Sequence, residues 1–503
     1  MFTRIKLLNS SVDVNQLHCN IQDIGYANGM YTLNVYATDD SYYYSGTVTV
    51  KFQLNLIKET TLLGLKFKYS EDLSTPTVND NVITINSDGF YAITDNDEGI
   101  TDRNITIPNN KNVNMSINGN VTLQPSNNNG ITLGDNAYLN LSTNADLTAT
   151  GASSSGSAVY AGIRVPYTSE FIITGSNNGN LNVTGGSGYV TGAGIGGNGS
   201  SGDTPGHSDR TTSSLSCGTV KILGSLNADI KGGDSLVSDK GGASAGIGGG
   251  GCASGYAGSC KLVQINTNGT FVCEGSGNSN NFCYSGPGPA IGGGGSGSYK
   301  GDPGGDIKMF VGGDLNSLII NSGNINCIQK SVKTIVGASS VIGGGAAVGS
   351  LTKGNYVINS AGGNLNSFTM TGGFLTIKGT NGNFATISDK LSAIIGGGGA
   401  GIVNLNSSQS TNSKVIAGSL ESLEQTNGNI LIYNNSSRTD SSINSFSIGN
   451  GGCQTQTGTT PITPGTTEKI LINGGSVACI NGFNDLSFSL TPSNSKGQTL
   501  YPC

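Results

Sequence analysis

The sequence predicts an all-β fold: an elongated, right-handed parallel β-helix (a β-solenoid) carrying a small N-terminal β domain. Three observations predict it. A short cassette, an isoleucine followed by glycines or other small residues, recurs seven times. Its isoleucines are Ile163, Ile195, Ile247, Ile291, Ile342, Ile395 and Ile448, and the last three intervals are 51, 53 and 53 residues. A second pattern keeps phase with it: residues 313–323, 363–373 and 418–428 align, making Leu315, Leu365 and Leu420 equivalent. After each comes an alternating apolar–polar run, the mark of a half-buried strand closed by Gly, Asn or Ser. Third, no segment carries helical periodicity with start and stop signals. Self-similarity at a fixed period means units that bury their apolar faces only against their neighbours.

The elements follow in chain order. Residues 1–60 have a Tyr-rich texture without cassettes and read as an anchor or cap domain. Residues 61–130 read as Asn-rich first coils, and 131–452 as the glycine-rich repeats. Residues 453–503 read as a Thr/Gly/Pro loop and a C-terminal cap, since an open end of a stack is an adhesive edge. Glycine suits stacked corners, where strand spacing of about 4.8 Å leaves little room for a Cβ. The cassette isoleucines are expected to form a buried column in register. A 50-residue period is long for a single turn of three short strands, so about two turns per repeat are expected. A flexible Gly/Ser linker is the competing reading of this composition, but Ile, Leu and Val alternating between the glycines can build a core.

Composition narrows function. Charged residues are 11% of 503 and the formal net charge is −6, which argues against a basic nucleic-acid surface. No apolar run approaches the roughly 20 residues of a spanning helix, so no membrane insertion is expected. The N-terminal apolar stretch is too short for a secretory signal, which suggests export without one or a start internal to a longer chain.

The ten cysteines suggest disulfides. Cys217, Cys252, Cys260, Cys273 and Cys283 crowd one region; Cys252–Cys260 would close a glycine loop, and Cys453–Cys479 would bracket another. Buried thiols are the alternative, and a zinc site is disfavoured because no Cys-x2-Cys pair exists. Disulfides would place the chain outside a reducing cytosol. Asp95, Asp97 and Asp102 have the oxygen-rich spacing of a calcium loop but lack a distal Glu, so calcium competes with a plain acidic turn. No other cofactor is expected. Asp203, His207, Asp209 and Arg210 could serve acid–base chemistry on a sugar, though a solvated loop insertion accounts for them. Asp302 and Asp306 read as turn formers. The sequons at Asn104, Asn114, Asn120 and Asn140 are glycosylation candidates, with stacked Asn ladders as the competing use.

The Ala-Gly-Ile-Gly-Gly-type cassette, with strands such as residues 312–323, resembles the glycine-rich β-helix repeats of bacterial surface adhesins and of phage-tail and large-DNA-virus proteins. The resemblance covers roughly 131–450 and carries no catalytic residues. It implies a non-enzymatic structural protein on a virion surface or in the extracellular space, displaying loops for host attachment. Its expected partners are copies of itself, other virion or surface proteins, and host-surface glycans. A carbohydrate-active β-helix enzyme (a polysaccharide lyase or tailspike depolymerase) and a bacterial adhesin are the alternatives.

Overall fold

The computed structural model describes residues 58–96, 99–155, 158–176, 179–200, 214–236, 241–277, 287–297, 307–330, 339–350, 357–379, 393–403, 413–434, 448–455 and 460–481. It also describes the backbones of Leu17–Asn20, Tyr31–Ala37 and Thr47–Phe52. Among the described residues the chain is all β, with no helix and with long, mostly parallel sheets.

The cassettes set the register. Ile83, Ile105, Ile131, Ile163, Ile195, Ile247, Ile291, Ile342, Ile395 and Ile448 stand opposite one another in one parallel ladder. Nine of the ten are 0% exposed and Ile448 is 4%. The expected column is therefore present, and it begins three isoleucines before the first cassette. Successive isoleucines mark tiers, and the pairing is direct: Ile342 faces Ile395, the next cassette. One repeat is thus one tier, not two. The reason lies in the strands from one isoleucine to the next: Ile342–Gly343, Ala347–Ser350, Val357–Ala361, Leu365–Met370 and Phe374–Lys378. The 53-residue tier thus holds five short strands among its described residues, rather than three.

Two further rows complete the main core. One runs through Asn112–Ile117, Tyr138–Thr143, Glu170–Gly175, Cys217–Gly224, Leu365–Met370, Leu420–Gln425 and Thr467–Ile472. The other runs through Val121–Leu123, Leu147–Thr150, Asn180–Thr184, Asn227–Lys231, Phe374–Lys378, Asn429–Asn434 and Ser476–Asn481. Two long strands, Cys260–Glu274 and Leu318–Ile328, run through both rows and join them. Leu315, Leu365 and Leu420 occupy successive rungs, as their sequence equivalence requires. Alternate residues of both rows point at the isoleucine column, so one apolar core continues from Leu65 to Val477.

The first tiers are small, with 22 residues from Ile83 to Ile105 and 26 from there to Ile131. Later tiers add residues without enlarging this core. They do so by glycine necks that cross the tier. The Gly294 N–H donates to the Gly258 carbonyl, Gly313 to Gly294, Gly345 to Gly313, and Gly363 to Gly345. Gly398 then donates to Gly363, Gly418 to Gly398 and Gly451 to Gly418, all at 2.8–2.9 Å. This zigzag alternates between the cassette wall and the wall just before the leucine row. A Cβ on Gly363 would lie 1.8 Å from the Gly313 carbonyl oxygen, and one on Gly345 would lie 2.0 Å from that of Gly294. Side chains are excluded there, and backbone amides meet directly. Beyond the neck a second small core forms from Phe310, Ala347, Ile358, Ala400, Ile402 and Val415. A shorter neck on the other side of the cassettes, from Gly186 to Tyr160, Gly192 to Gly186 and Gly233 to Gly192, borders a cluster of Val159, Val190 and Ala253.

Gly196, Gly248, Gly343, Gly396 and Gly449 have φ between 133° and 154°, a region that disfavours side chains. The equivalent rungs in earlier tiers are Thr106, Thr132 and Arg164. In these five tiers the cassette's glycine enters with the change of backbone at that corner, while Gly292 holds the same rung outside that φ range.

At the N-terminal end, Lys58–Leu62 and Leu65–Tyr69 form a hairpin through Leu63 and Gly64, both at positive φ. Leu65–Tyr69 pairs antiparallel with Gly89–Asn96, which begins the parallel row. Buried Arg103 binds the hairpin to the stack, donating from Nη1 to the Leu63 carbonyl (2.6 Å) and from Nε to that of Thr122 (3.0 Å). Leu17–Asn20, Tyr31–Ala37 and Thr47–Phe52 form a separate three-stranded antiparallel sheet.

Candidate functional site

The stacked excursions beyond the main neck differ in length from tier to tier. The chain leaves the cassette wall at Gly250, Gly294, Gly345 and Gly398 and returns at Gly258, Gly313, Gly363 and Gly418. These points are 8 residues apart in the shortest case (Gly250 to Gly258) and 20 in the longest (Gly398 to Gly418), yet the neck bonds keep one geometry except for the 3.4 Å bond within the shortest. Where described, the excursions stack as well. Ala347–Ser350, Ala400–Val403 and Cys453–Thr455 form one parallel sheet, and Gly255–Tyr256, Ile307–Val311, Val357–Ala361, Lys414–Ile416 and Ile462–Thr463 form another. Ile416 and Ile462 are exposed at 42% and 49% on the second. The result is a set of excursions of unequal length on an equally spaced base.

The predicted site residues fall into four groups. Among the described residues no disulfide joins Cys217, Cys252, Cys260, Cys273 or Cys453, nor Cys327, which the sequence did not single out. The expected Cys252–Cys260 and Cys453–Cys479 bridges are therefore not formed. The register explains this: Cys252 stands on the rung between Ser200 and Ser296, and Cys453 opposite Ala400, while Cys260 stands opposite Cys217. Burial pushes the Cys453 thiol up to about 11. Contact with Cys217, then burial, raises Cys260 well above the ordinary thiol range, and burial raises Cys273. The Cys479 side chain and Cys283 lie outside the described residues.

Of the calcium candidates, Asp102 braces three tiers. Its Oδ1 accepts from Asn81 Nδ2 (2.7 Å) and from the Ser126 N–H (2.9 Å). These bonds, Asn81 first, hold its carboxyl below the usual range. Asp95 lies at the backbone level opposite Lys66, and Asp97 falls outside the described residues. No cluster of three His, Cys, Asp or Glu exists among the described residues.

The sequons divide. Asn104 is 0% exposed and donates from Nδ2 to the Asn129 carbonyl (2.6 Å) and to Thr132 Oγ1 (3.0 Å). Asn140 donates from Nδ2 to Asn114 Oδ1 (3.2 Å), with both buried. A glycan on Nδ2 needs solvent, and burial withholds it: Asn114 and Asn140 form an inter-tier amide pair, and Asn104 an inter-tier tie to a backbone carbonyl and a hydroxyl. Asn120 is exposed, its Oδ1 accepting from the Asp146 N–H (3.1 Å). Asp203, His207, Asp209, Arg210, Asp302 and Asp306 lie outside the described residues.

Sequence reasoning missed Arg164, buried where later cassettes carry glycine. Its Nη1 donates to the carbonyls of Ser216 (2.6 Å) and Gly196 (3.1 Å), and burial lowers it to about 10. The guanidinium ties two tiers at the point where the neck system begins. A residue out of keeping with its cassette, Ile-Arg in place of Ile-Gly, was the available signal. Ion pairs on the outside also link tiers, as in Lys221–Glu170 (2.8 Å) and Lys330–Asp234 (2.6 Å).

Compared with known proteins, the chain matches no family model, no curated protein and no solved structure.

Proposed function

We propose that the chain is a right-handed β-solenoid acting as a non-enzymatic structural protein on the surface of a virion, a phage or a large DNA virus. Its role is to display variable loops for host attachment. The observation that carries this reading is the neck: excursions of 8 to 20 residues leave and rejoin the same hydrogen-bonded base. Such a base lets a loop change length and sequence while the isoleucine column keeps its register, the arrangement by which rigid folds present binding sites. The partners on this reading are sister copies or other virion proteins, and host-surface glycans.

Mass spectrometry of purified particles against the secreted fraction tests the location. The chain should copurify with particles in fixed stoichiometry; its confinement to the soluble fraction would remove the virion assignment. Incubation with host glycans tests the rest. Retention without cleavage is expected, whereas released oligosaccharide would establish the carbohydrate-active alternative.

A further inference from the structure

We propose that Cys217 with Cys260, and Cys273 with Cys327, are two inter-tier disulfide sites, closed when the chain folds in the presence of a small disulfide oxidant. The register is the basis. Cys217 stands directly opposite Cys260 on neighbouring parallel strands, and Cys273 directly opposite Cys327 on the next pair of tiers. All four are 0% exposed and belong to the same core. Directly opposed residues of neighbouring strands point to the same face, and strand spacing of about 4.8 Å lies inside the Cα window for a disulfide, about 4.4–6.8 Å. At three of the adjacent rungs the described neighbours are not thiols. Leu315 follows Cys260, Ile230 precedes Cys273 and Ile377 follows Cys327.

The two pairs together would fasten three consecutive tiers, those of Ile195, Ile247 and Ile291. These are the tiers where the chain passes from the short early repeats to the necked ones. Each closure is a pair of thiol–disulfide exchanges. One protein thiolate attacks the small disulfide and releases one small thiol. The second protein thiolate then displaces the other small thiol from the mixed disulfide. Two protein thiols are oxidised, one small disulfide is reduced to two thiols, and the two protons pass to the departing thiolates. Burial opposes thiolate formation in the closed stack, so exchange belongs to folding, before the tiers seal.

The test uses the full chain, refolded from denaturant in reduced and oxidised glutathione. In parallel, the full chain is produced in an oxidising secretory compartment and mapped directly. Peptide mapping after acid quench, without reduction, should recover linked peptides for 217–260 and 273–327. Cys260→Ser should leave Cys217 as a free thiol and the 273–327 link intact. All four thiols labelled as free in both preparations would overturn the proposal. So would a 252–260 or 453–479 link, or Cys217 paired elsewhere in the Cys260→Ser chain.

Discussion

At the residue scale, glycine acts here by the absence of a side chain, and the effect can be separated from backbone freedom. Gly363 is not at positive φ, yet a Cβ there would meet the Gly313 carbonyl oxygen at 1.8 Å. Backbone atoms fixed in a neck on both sides cannot move aside. Gly363→Ala should therefore destabilise by about 4 kcal/mol or more, the range reserved for core disruption. Gly119→Ala is the control: a Cβ there meets nothing within 4 Å, and the change should stay within about 0.5 kcal/mol. Urea midpoints of the two variants check both numbers. Asp102 gives a prediction of a different kind. Bonds from Asn81 and then Ser126 hold its folded carboxyl below the ordinary aspartate range. A depressed carboxyl stabilises the fold above its unfolded pKa, and the contribution is lost as pH falls through the folded pKa. The stability difference between the native chain and Asp102→Asn should be constant from neutral pH to about 5 and shrink below about 4. A difference that grows on acidification would contradict this assignment.

At the element scale, two kinds of strand share each tier, and they should fail differently. Ile342 sits in the main column between Ile291 and Ile395, fully buried in a core continuous along the chain. Ile342→Ala should cost about 2–5 kcal/mol, since tiers locked on both sides relax little around a cavity. Val415 is equally buried but lies beyond the neck, in a cluster of six residues. Its truncation should loosen the excursion and leave the tier intact. Hydrogen exchange distinguishes the outcomes. Val415→Ala should speed exchange in Ala400–Val403 and Lys414–Ile416 while sparing Leu420–Gln425. Ile342→Ala should speed exchange in the cassette strands of the flanking tiers. Equal protection loss in Leu420–Gln425 for both variants would mean that the neck does not insulate.

At the scale of the whole molecule, the stack's N-terminal end is closed by its own hairpin, Lys58–Leu62 with Leu65–Tyr69, rather than by the preceding sheet. The hairpin pairs antiparallel with the first row and is fastened through Arg103. Attachment through residues 1–52 belongs to the proposed function and is tested by their removal. A chain lacking them should remain soluble and β-rich, with an unchanged urea midpoint for the stack, because its cap is retained. It should fail to enter the larger assembly. Normal incorporation of the truncated chain would remove the anchor role, while its aggregation would show that the sheet, and not the hairpin, protects the end.

The isoleucine column and the leucine row were legible in the sequence, because a parallel stack repeats one environment and so repeats one residue. Ile195 through Ile448, and Leu315 with Leu365 and Leu420, needed only their spacing. Ile83, Ile105 and Ile131 belong to the same column but were hidden, since their tiers lack the glycines that marked the later ones. The number of turns per repeat was not legible. Length alone cannot say whether 53 residues make two small turns or one turn with an excursion, and the neck between Gly345 and Gly363 decided for the latter. Cysteine partners were likewise a tertiary matter. Nearness in sequence suggested Cys252 with Cys260, but in a parallel stack a residue's neighbour is the one a full tier away, which is why Cys217 faces Cys260. The sequons divided for the same reason: Asn140 meets Asn114 across a tier, and that contact turns an exposed-looking motif into an internal amide ladder.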